Sequence, residues 1–252
     1  MKIDLNADLG ESFGPWKMGH DDALLQTVTS ANIACGFHAG DPLHMETTVI
    51  ACDKNKVGIG AHPGFGDLSG FGRYEIKGIP PEQLRSMVIY QIGALQAIAR
   101  FRGQAVRHVK MHGALANMAS RDLSLAELLV GTVHDYDPSL TLIVIASTCL
   151  EQAALSAEAK YAAEIFADRA YEDDGTLVSR HEPDALIRDP QICADNILRA
   201  VETGTLTSRN GVKVKVNAST ICVHGDTPEA VQIAAAVRNR LDQAGVSVRQ
   251  FE

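Results

Sequence analysis

Four histidines of this chain stand at the ends of short, mainly apolar runs, with carboxylates and glycines close by in the sequence. In residues 31–42, Ala-Asn-Ile-Ala-Cys-Gly-Phe-His-Ala-Gly-Asp-Pro, His38 lies between Gly36 and Gly40. The glycines relax the backbone on either side, so that a polar side chain can be held where a buried strand stops. α/β enzymes commonly build active sites on such strand ends. For any single histidine, a tight turn with a solvated ring is the alternative.

The pattern recurs along the chain. Six of seven predicted strands end in ionisable pairs, which are Asp8 and Glu11, His38 and Asp41, His62 and Asp67, Lys110 and His112, Asp168 and Arg169, and His224 and Asp226. In a parallel (β/α) barrel the carboxyl ends of the strands meet on one face. We therefore expect these groups to share one pocket with a small-molecule substrate.

Hydrolysis of an amide or ester-like bond is the chemistry that such a set can perform. A carboxylate can activate water, a histidine can protonate the leaving nitrogen, and Lys110 or Arg73 can stabilise an oxyanion or a phosphate. Asp8, His38 and His62 can also ligate a divalent metal that acidifies the water. The predicted catalytic residues are Asp8, Glu11, His38, His62 and His112. The predicted substrate-binding residues are Asn6, Asp41, Arg73, Lys110, Asp168, Arg169, His224 and Asp226.

Other polar residues have simpler interpretations. Asp41 precedes Pro42 and can serve as the N-cap of the next helix instead of a site residue. The remaining histidines are interpreted as helix-face or loop residues, and they are His20, His44, His108, His134 and His181. The five cysteines show no C-x-x-C spacing, which indicates buried thiols in a reducing compartment. Cys35 is expected in the core and not as a nucleophile.

Strand-like and helix-like segments alternate about seven times, which predicts a parallel sheet with right-handed crossovers. The predicted core strands are residues 2–7, a short buried strand at the start of residues 31–42, and residues 57–61, 106–110, 140–146, 163–167 and 219–223. Residues 212–216 alternate lysine and valine, which favours an exposed edge strand or hairpin. We predict one domain over residues 1–252, an irregular α/β barrel of about seven parallel strands. A doubly wound open sheet is the alternative.

Composition narrows the function classes. The 23 lysines and arginines against 31 acidic residues give a formal charge of −8, which argues against a nucleic-acid or anionic-membrane surface. No apolar run approaches the roughly 20 residues of a membrane-spanning helix, and the N-terminus has no signal-peptide pattern. The expected compartment is the cytoplasm. Neither G-x-G-x-x-G nor G-x-x-x-x-G-K-[ST] follows a strand, so common nucleotide-binding motifs lack support.

Seven blocks of the sequence resemble the LamB/YcsF family. They are residues 4–14 (DLNADLGESFG), 35–41 (CGFHAGD), 59–63 (IGAHP), 70–73 (GFGR), 109–115 (VKMHGAL), 166–171 (FADRAY) and 221–228 (ICVHGDTP). Ala7 stands where family members often have cysteine. Met111 and Ala116 replace a proline and a tyrosine common around His112, so pocket shape can differ while the ionisable residues are retained.

The resemblance implies a seven-stranded barrel of the glycoside hydrolase/deacetylase type. It also implies the A component of a bacterial ATP-dependent 5-oxoprolinase, which opens 5-oxoproline to glutamate with ATP and with partner subunits B and C. Two other hypotheses remain, a stand-alone metal-dependent deacetylase or amidase on the same barrel and a non-catalytic subunit of the complex. The oligomeric state is left open by the sequence, a homo-oligomer included.

Overall fold

A closed barrel of seven parallel strands forms the centre of the molecule in the computed structural model, which describes residues 1–251. The barrel strands are β1 (Lys2–Leu9), β2 (Ser30–Ala34), β3 (Gly58–His62), β4 (Val106–Lys110), β5 (Thr141–Ile145), β6 (Tyr161–Phe166) and β9 (Thr220–Val223). Each strand pairs with the next, and β9 pairs with both β6 and β1, which closes the sheet. The barrel prediction is confirmed, and the open-sheet alternative is wrong because β1 pairs with β9.

Helices follow the strands and cover the outside of the barrel. They are α1 (Asp21–Leu24), α2 (Pro42–Asn55), α3 (Pro81–Phe101), α4 (Gly113–Ala119), α5 (Leu123–Tyr136), α6 (Cys149–Ser156), α7 (Pro190–Thr203) and α8 (Ala230–Gln243). The apolar face of α3 is buried as its 3.6-residue spacing requires, with Leu84, Val88, Ile92, Leu95 and Ala99 against the core. No helix within residues 1–251 is long and apolar enough to cross a membrane.

Three short strands lie outside the barrel. β7 (Thr205–Thr207) and β8 (Lys213–Lys215) form an antiparallel hairpin, in which Val214 is buried while the two lysines of β8 are exposed. This confirms the prediction made from the lysine–valine alternation. β10 (Ser247–Val248) adds to the first strand through the pairs Lys2–Ser247 and Ile3–Val248.

The inside of the barrel is polar, unlike the packed aliphatic layers common in such folds. Residues two apart on a strand share a face, and Asp4, Asn6 and Asp8 are all buried on β1. Asp4 accepts hydrogen bonds from the hydroxyls of Ser30 (2.7 Å) and Thr220 (2.5 Å). Both carboxylate oxygens of Asp4 thus have partners, so this part of the interior can hold a charged side chain in a fixed position.

Candidate active site

The carboxyl ends of the barrel strands open into a cavity of about 360 Å³. Its lining includes Asp8, His62, Lys110, His112, Glu164 and His224. All of these come from strand ends or from the first residues after them, except Glu164, which lies within β6. With Arg169, which also lines the cavity, the structure therefore brings six of the twelve strand-end residues into the cavity wall.

Glu11, His38, His62 and His112 form a buried group that we call the histidine cluster. The Nδ1 atom of His62 lies 2.7 Å from the carbonyl oxygen of Lys110, and the Nε2 atom of His112 lies 2.8 Å from that of Phe71. Carbonyl oxygens only accept, so both of these ring nitrogens must carry a proton. The other two, His62 Nε2 and His112 Nδ1, face each other at 3.0 Å.

This arrangement leaves two nitrogen lone pairs pointing at each other, which is unfavourable unless a proton or a cation lies between them. The Oε1 atom of Glu11 lies 3.6 Å from His112 Nδ1 and 3.2 Å from His38 Nε2. His38 stacks on His112 with ring centroids 3.6 Å apart, and its Nδ1 atom is buried without a hydrogen-bond partner. One ligand atom from each of the four residues lies within 4.8 Å of the others.

The donor set fits a divalent metal ion. Imidazole and carboxylate ligands are typical of zinc-type sites, and backbone carbonyls fix the outer ring nitrogens of His62 and His112 as such sites require. Burial lowers the pKa values of His38 and His112, with nearby histidines acting in the same direction, which keeps the rings in the neutral form that binds metals. Burial and the neighbouring Asp8 raise the pKa of Glu11, so this carboxylate needs a cation to stay ionised.

Beside it lies an ion cluster centred on Lys110. Its Nζ atom is 3.0 Å from Asp8 Oδ1, 2.9 Å from Glu164 Oε1 and 3.0 Å from Cys222 Sγ. Burial alone would raise the pKa of Asp8, but His62 and Lys110 hold it well below its usual range. Asp8, Cys222 and His224 also have metal-ligating atoms close together. The ammonium group already neutralises that second set, so the histidine cluster is the better cation site.

His224 follows β9 and lines the same cavity. Its Nδ1 atom lies 2.9 and 3.0 Å from the two oxygens of Asp168, and its ring stacks on Phe166. The carboxylate fixes the Nδ1–H tautomer, which leaves Nε2 as the free nitrogen of the ring. Burial lowers the pKa of His224 while Asp168 opposes that shift. The pair is built to hold a neutral imidazole that can take up and release one proton.

The glycine-rich loop of residues 64–72 packs directly over the stacked histidines. A Cβ atom on Gly64 would lie 3.0 Å from His38 Nδ1, and one on Gly72 would lie 2.7 Å from His38 Cβ and 2.9 Å from His112 Cδ2. Gly72 also has a positive φ of 62°. Arg73 follows at once and forms an ion pair of 2.7 Å with Asp226. Glycine is therefore needed here for close approach as well as for backbone conformation.

Three predicted substrate-binding residues have structural partners of their own. Asp41 caps α2 by accepting from the backbone of Leu43 and His44, and it also accepts from the Gly14 amide. Arg169 is buried and donates to the carbonyl oxygens of Val178 and Ala185. Asn6 lies deeper in the barrel and donates to Glu164 and Thr220.

One interpretation from the sequence is wrong. His108 is neither a helix-face nor a loop residue, because it lies on β4 inside the barrel and its Nε2 atom donates to Asn32 at 2.9 Å. The ring occupies the space beside Gly60, where a Cβ atom would lie 2.0 Å from it. Burial lowers its pKa to about 3, so it is a neutral support for the polar interior.

Sequence reasoning also missed Glu164 and Arg180. Glu164 is a carboxylate in the middle of an otherwise apolar strand, and that position is itself the signal of an inward-facing site residue. Arg180 belongs to the insertion between β6 and α7, which has no periodic pattern to place it. Cys35 is buried, as expected, and burial raises its pKa to about 12, so it is no nucleophile.

Comparisons with known proteins agree with this geometry. Residues 3–252 match the model of the LamB/YcsF family. A protein of Ruegeria pomeroyi, named as the A subunit of 5-oxoprolinase, is 53% identical over 251 residues, which covers 100% of this chain and 99% of the relative. The crystal structure of the lactam utilization protein from Thermus thermophilus is 44% identical and covers both chains completely with a TM-score of 0.92.

A more distant likeness concerns the fold alone. The catalytic domain of a peptidoglycan N-acetylglucosamine deacetylase from Eubacterium rectale is 10% identical with a TM-score of 0.52, covering 99% of this chain and 88% of that one. The expectation of a barrel of the deacetylase type is thereby confirmed. At this identity, the likeness carries no substrate.

Proposed function

This chain belongs to the LamB/YcsF family, and on that premise we propose that it is the A component of an ATP-dependent 5-oxoprolinase. Its reaction is the hydrolytic opening of 5-oxoproline to glutamate. The full reaction uses ATP and the partner subunits B and C, and takes place in the cytoplasm, where ATP is available. The name and near-complete coverage of the Ruegeria relative support the assignment.

The observation that supports this chemistry is that three groups of side chains lie together at the carboxyl end of the barrel. They are the histidine cluster, the Asp8–Lys110 ion pair and the His224–Asp168 pair. A five-membered lactam is a stable amide, and phosphorylation of its carbonyl oxygen would make the carbon a better electrophile. The site must then supply an activated water, a proton for the ring nitrogen and positive charge for the developing oxyanion.

Each of these groups of side chains has a role in that reaction. Asp8, ionised at the cavity wall, orients the attacking water, and the positive charge of Lys110 stabilises the negative charge that develops on the oxygens bound to the reacting carbon. His224 takes a proton from the water at Nε2 while Asp168 stabilises the imidazolium. Attack of the water on the phosphorylated carbonyl carbon forms a C–O bond, and the ring C–N bond breaks as His224 returns its proton to the leaving nitrogen, which leaves an acyl phosphate. A second water then displaces phosphate at the same carbon, so that glutamate and inorganic phosphate are the products.

Glu11, His38, His62 and His112 would hold a divalent metal ion in this proposal. Bound there, the ion would supply Lewis acidity and lower the pKa of a water molecule. We expect the purified protein to contain metal, measured by elemental analysis, and His62→Ala to lose most of it. His20→Ala removes an exposed histidine outside the cluster and should retain the metal content. Equal metal content in both variants would argue against this site.

The function is tested by reconstitution. Glutamate release from 5-oxoproline is measured in a complete mixture of ATP, this chain and active B and C subunits, with and without this chain. We expect release only in the complete mixture, and a loss of about 10²-fold or more in kcat with Asp8→Asn. Asp22→Asn, an exposed aspartate of α1, is the matched control. No glutamate from the wild-type mixture would refute the proposal.

The same assay separates two other functions. A stand-alone metal-dependent amidase or deacetylase is favoured by the metal-compatible donor set of the histidine cluster. Such an enzyme would act without ATP or partners and would lose its activity on chelation. A non-catalytic subunit would leave the complex fully active when it carries Asp8→Asn.

A further inference from the structure

The insertion between β6 and α7 covers one side of the cavity. Besides Arg169, its lining residues are Thr176, Leu177, Val178, Ser179, Arg180 and His181. Backbone contacts fix the position of this segment. The Val178 amide donates to the carbonyl oxygen of Ala170 at 3.0 Å, and an antiparallel β-bridge joins Tyr171 and Leu177. Val178 is completely buried. Arg180 is therefore carried by an anchored segment.

The guanidinium group of Arg180 has no carboxylate at hydrogen-bond distance within residues 1–251. Its side chain is 20% exposed, and it lies 3.7 Å from Asp226 Oδ2, which is longer than a hydrogen bond. That oxygen is already held at 2.7 Å by Arg73. Within residues 1–251, Arg180 donates no hydrogen bond to another residue, although a guanidinium group carries five N–H donors.

Two neighbouring arginines, Arg73 and Arg169, add positive charge near Arg180. Burial lowers the pKa of Arg180 and the charge of Arg73 acts in the same direction, while burial and then Arg180 lower the pKa of Arg169 to about 10. The carboxylate of Asp168 is engaged by His224. One shared carboxylate, Asp226, thus faces two guanidinium groups at the cavity wall, so an incoming anion would relieve their repulsion and satisfy their donors.

We propose that Arg180 binds the carboxylate of the substrate and so selects anionic lactams over neutral ones. This inference rests on the proposed function, because 5-oxoproline carries a carboxylate on the carbon next to the ring nitrogen. A planar guanidinium group matches a carboxylate with two parallel hydrogen bonds. Anchoring that end at Arg180 leaves the ring amide to face Lys110 and His224 in the same cavity. A phosphoryl group added from ATP has the same oxyanion chemistry, and the test separates the two.

The test is direct binding to the purified full chain without ATP, by calorimetry, with 5-oxoproline and the neutral lactam 2-pyrrolidone as probes. Hydrogen bonds between charged groups are stronger than neutral ones, so we expect Arg180→Gln to weaken 5-oxoproline binding about 10- to 100-fold, which corresponds to about 1.4–2.7 kcal/mol. Binding of 2-pyrrolidone should be unchanged, which also checks that the variant is folded. Arg188→Gln, an exposed arginine paired with Glu229, is the matched control.

Several outcomes would overturn the inference. They are equal 5-oxoproline affinity in Arg180→Gln and wild type, equal weakening of both probes, or no 5-oxoproline binding by the wild type. A defect confined to ATP-containing mixtures would assign Arg180 to the phosphoryl group instead. Failure of the proposed function is a different result, since a wild-type complete mixture would then release no glutamate whatever the binding data show.

Discussion

At the scale of single residues, the side chain of Lys110 neutralises two buried carboxylates. Its ammonium group lies within 3.0 Å of carboxylate oxygens of both Asp8 and Glu164, and all three side chains are buried. Removal of one partner from a buried ion cluster leaves uncompensated charge, which costs about 3–5 kcal/mol. We expect Lys110→Met to lower the free energy of unfolding by that amount, measured by urea denaturation.

Two variants check this prediction. Lys77→Met removes an exposed lysine paired with Glu75 and should cost at most about 1 kcal/mol. The double variant Lys110→Met/Glu164→Gln removes one of the two stranded carboxylates, so it should be more stable than Lys110→Met alone. A single variant as stable as the wild type would mean that the ion cluster contributes nothing to the fold.

Asp168 allows a test of catalysis with a substitution that keeps the size of the side chain. Replacement by asparagine keeps the size of the side chain but removes the charge that stabilises the His224 imidazolium and can reverse the preferred tautomer. We expect Asp168→Asn to lower kcat for glutamate release by about 10²- to 10⁴-fold, with a much smaller change in KM. Asp184→Asn changes an exposed aspartate of the same insertion and should leave kcat unchanged. A change in KM alone would argue for a binding role.

At the scale of elements, the loop after β3 positions the histidine cluster through close contact. Gly72→Ala would place a methyl group 2.7 Å from His38 Cβ at a φ of 62°. Gly78 also has a positive φ, of 78°, but a Cβ atom there meets nothing within 4 Å. We expect Gly78→Ala to cost about 1–2 kcal/mol for the backbone alone, and Gly72→Ala to cost more.

The two glycine variants also differ in function. Gly72→Ala should reduce both metal content and glutamate release, because the stacked rings of His38 and His112 must shift. Gly78→Ala should leave both unchanged. Unfolding curves, elemental analysis and the reconstituted assay measure these effects, and equal behaviour of the two variants would show that the loop does not set the cluster geometry.

The elements were largely predictable from the sequence. Apolar runs with polar ends identified all seven barrel strands, and the strand-end pattern located His62, Lys110 and His224. The strand-end pattern failed where the position of a side chain depends on residues that are far away in the sequence. His108 and Lys110 lie two residues apart on β4 and so share a face, but only Gly60 on the neighbouring strand shows that a ring fits there. Arg180 depends on an irregular insertion, which no periodicity describes.

At the scale of the whole molecule, the first strand joins both ends of the chain. β1 pairs with β2 on one side and with β9 on the other, and it also pairs with β10. An N-terminal part of the barrel would therefore lack its closing strand and expose the polar interior. Such long-range closure favours one cooperative unit, and the single domain over residues 1–252 stays a prediction that unfolding can test.

Buried cysteines offer a way to observe that cooperativity without any substitution. Cys35 follows β2, Cys52 lies in α2, Cys193 in α7 and Cys222 in β9, and all four are buried. In a single cooperative unit, each thiol becomes reactive only on global unfolding, so labelling against urea concentration, read by peptide mass spectrometry, should give one midpoint that coincides with far-UV circular dichroism. The partly exposed Cys149 should react earlier and serves as the internal control for reagent access. Separate midpoints for the first and second pairs would instead divide the chain into two independently unfolding halves.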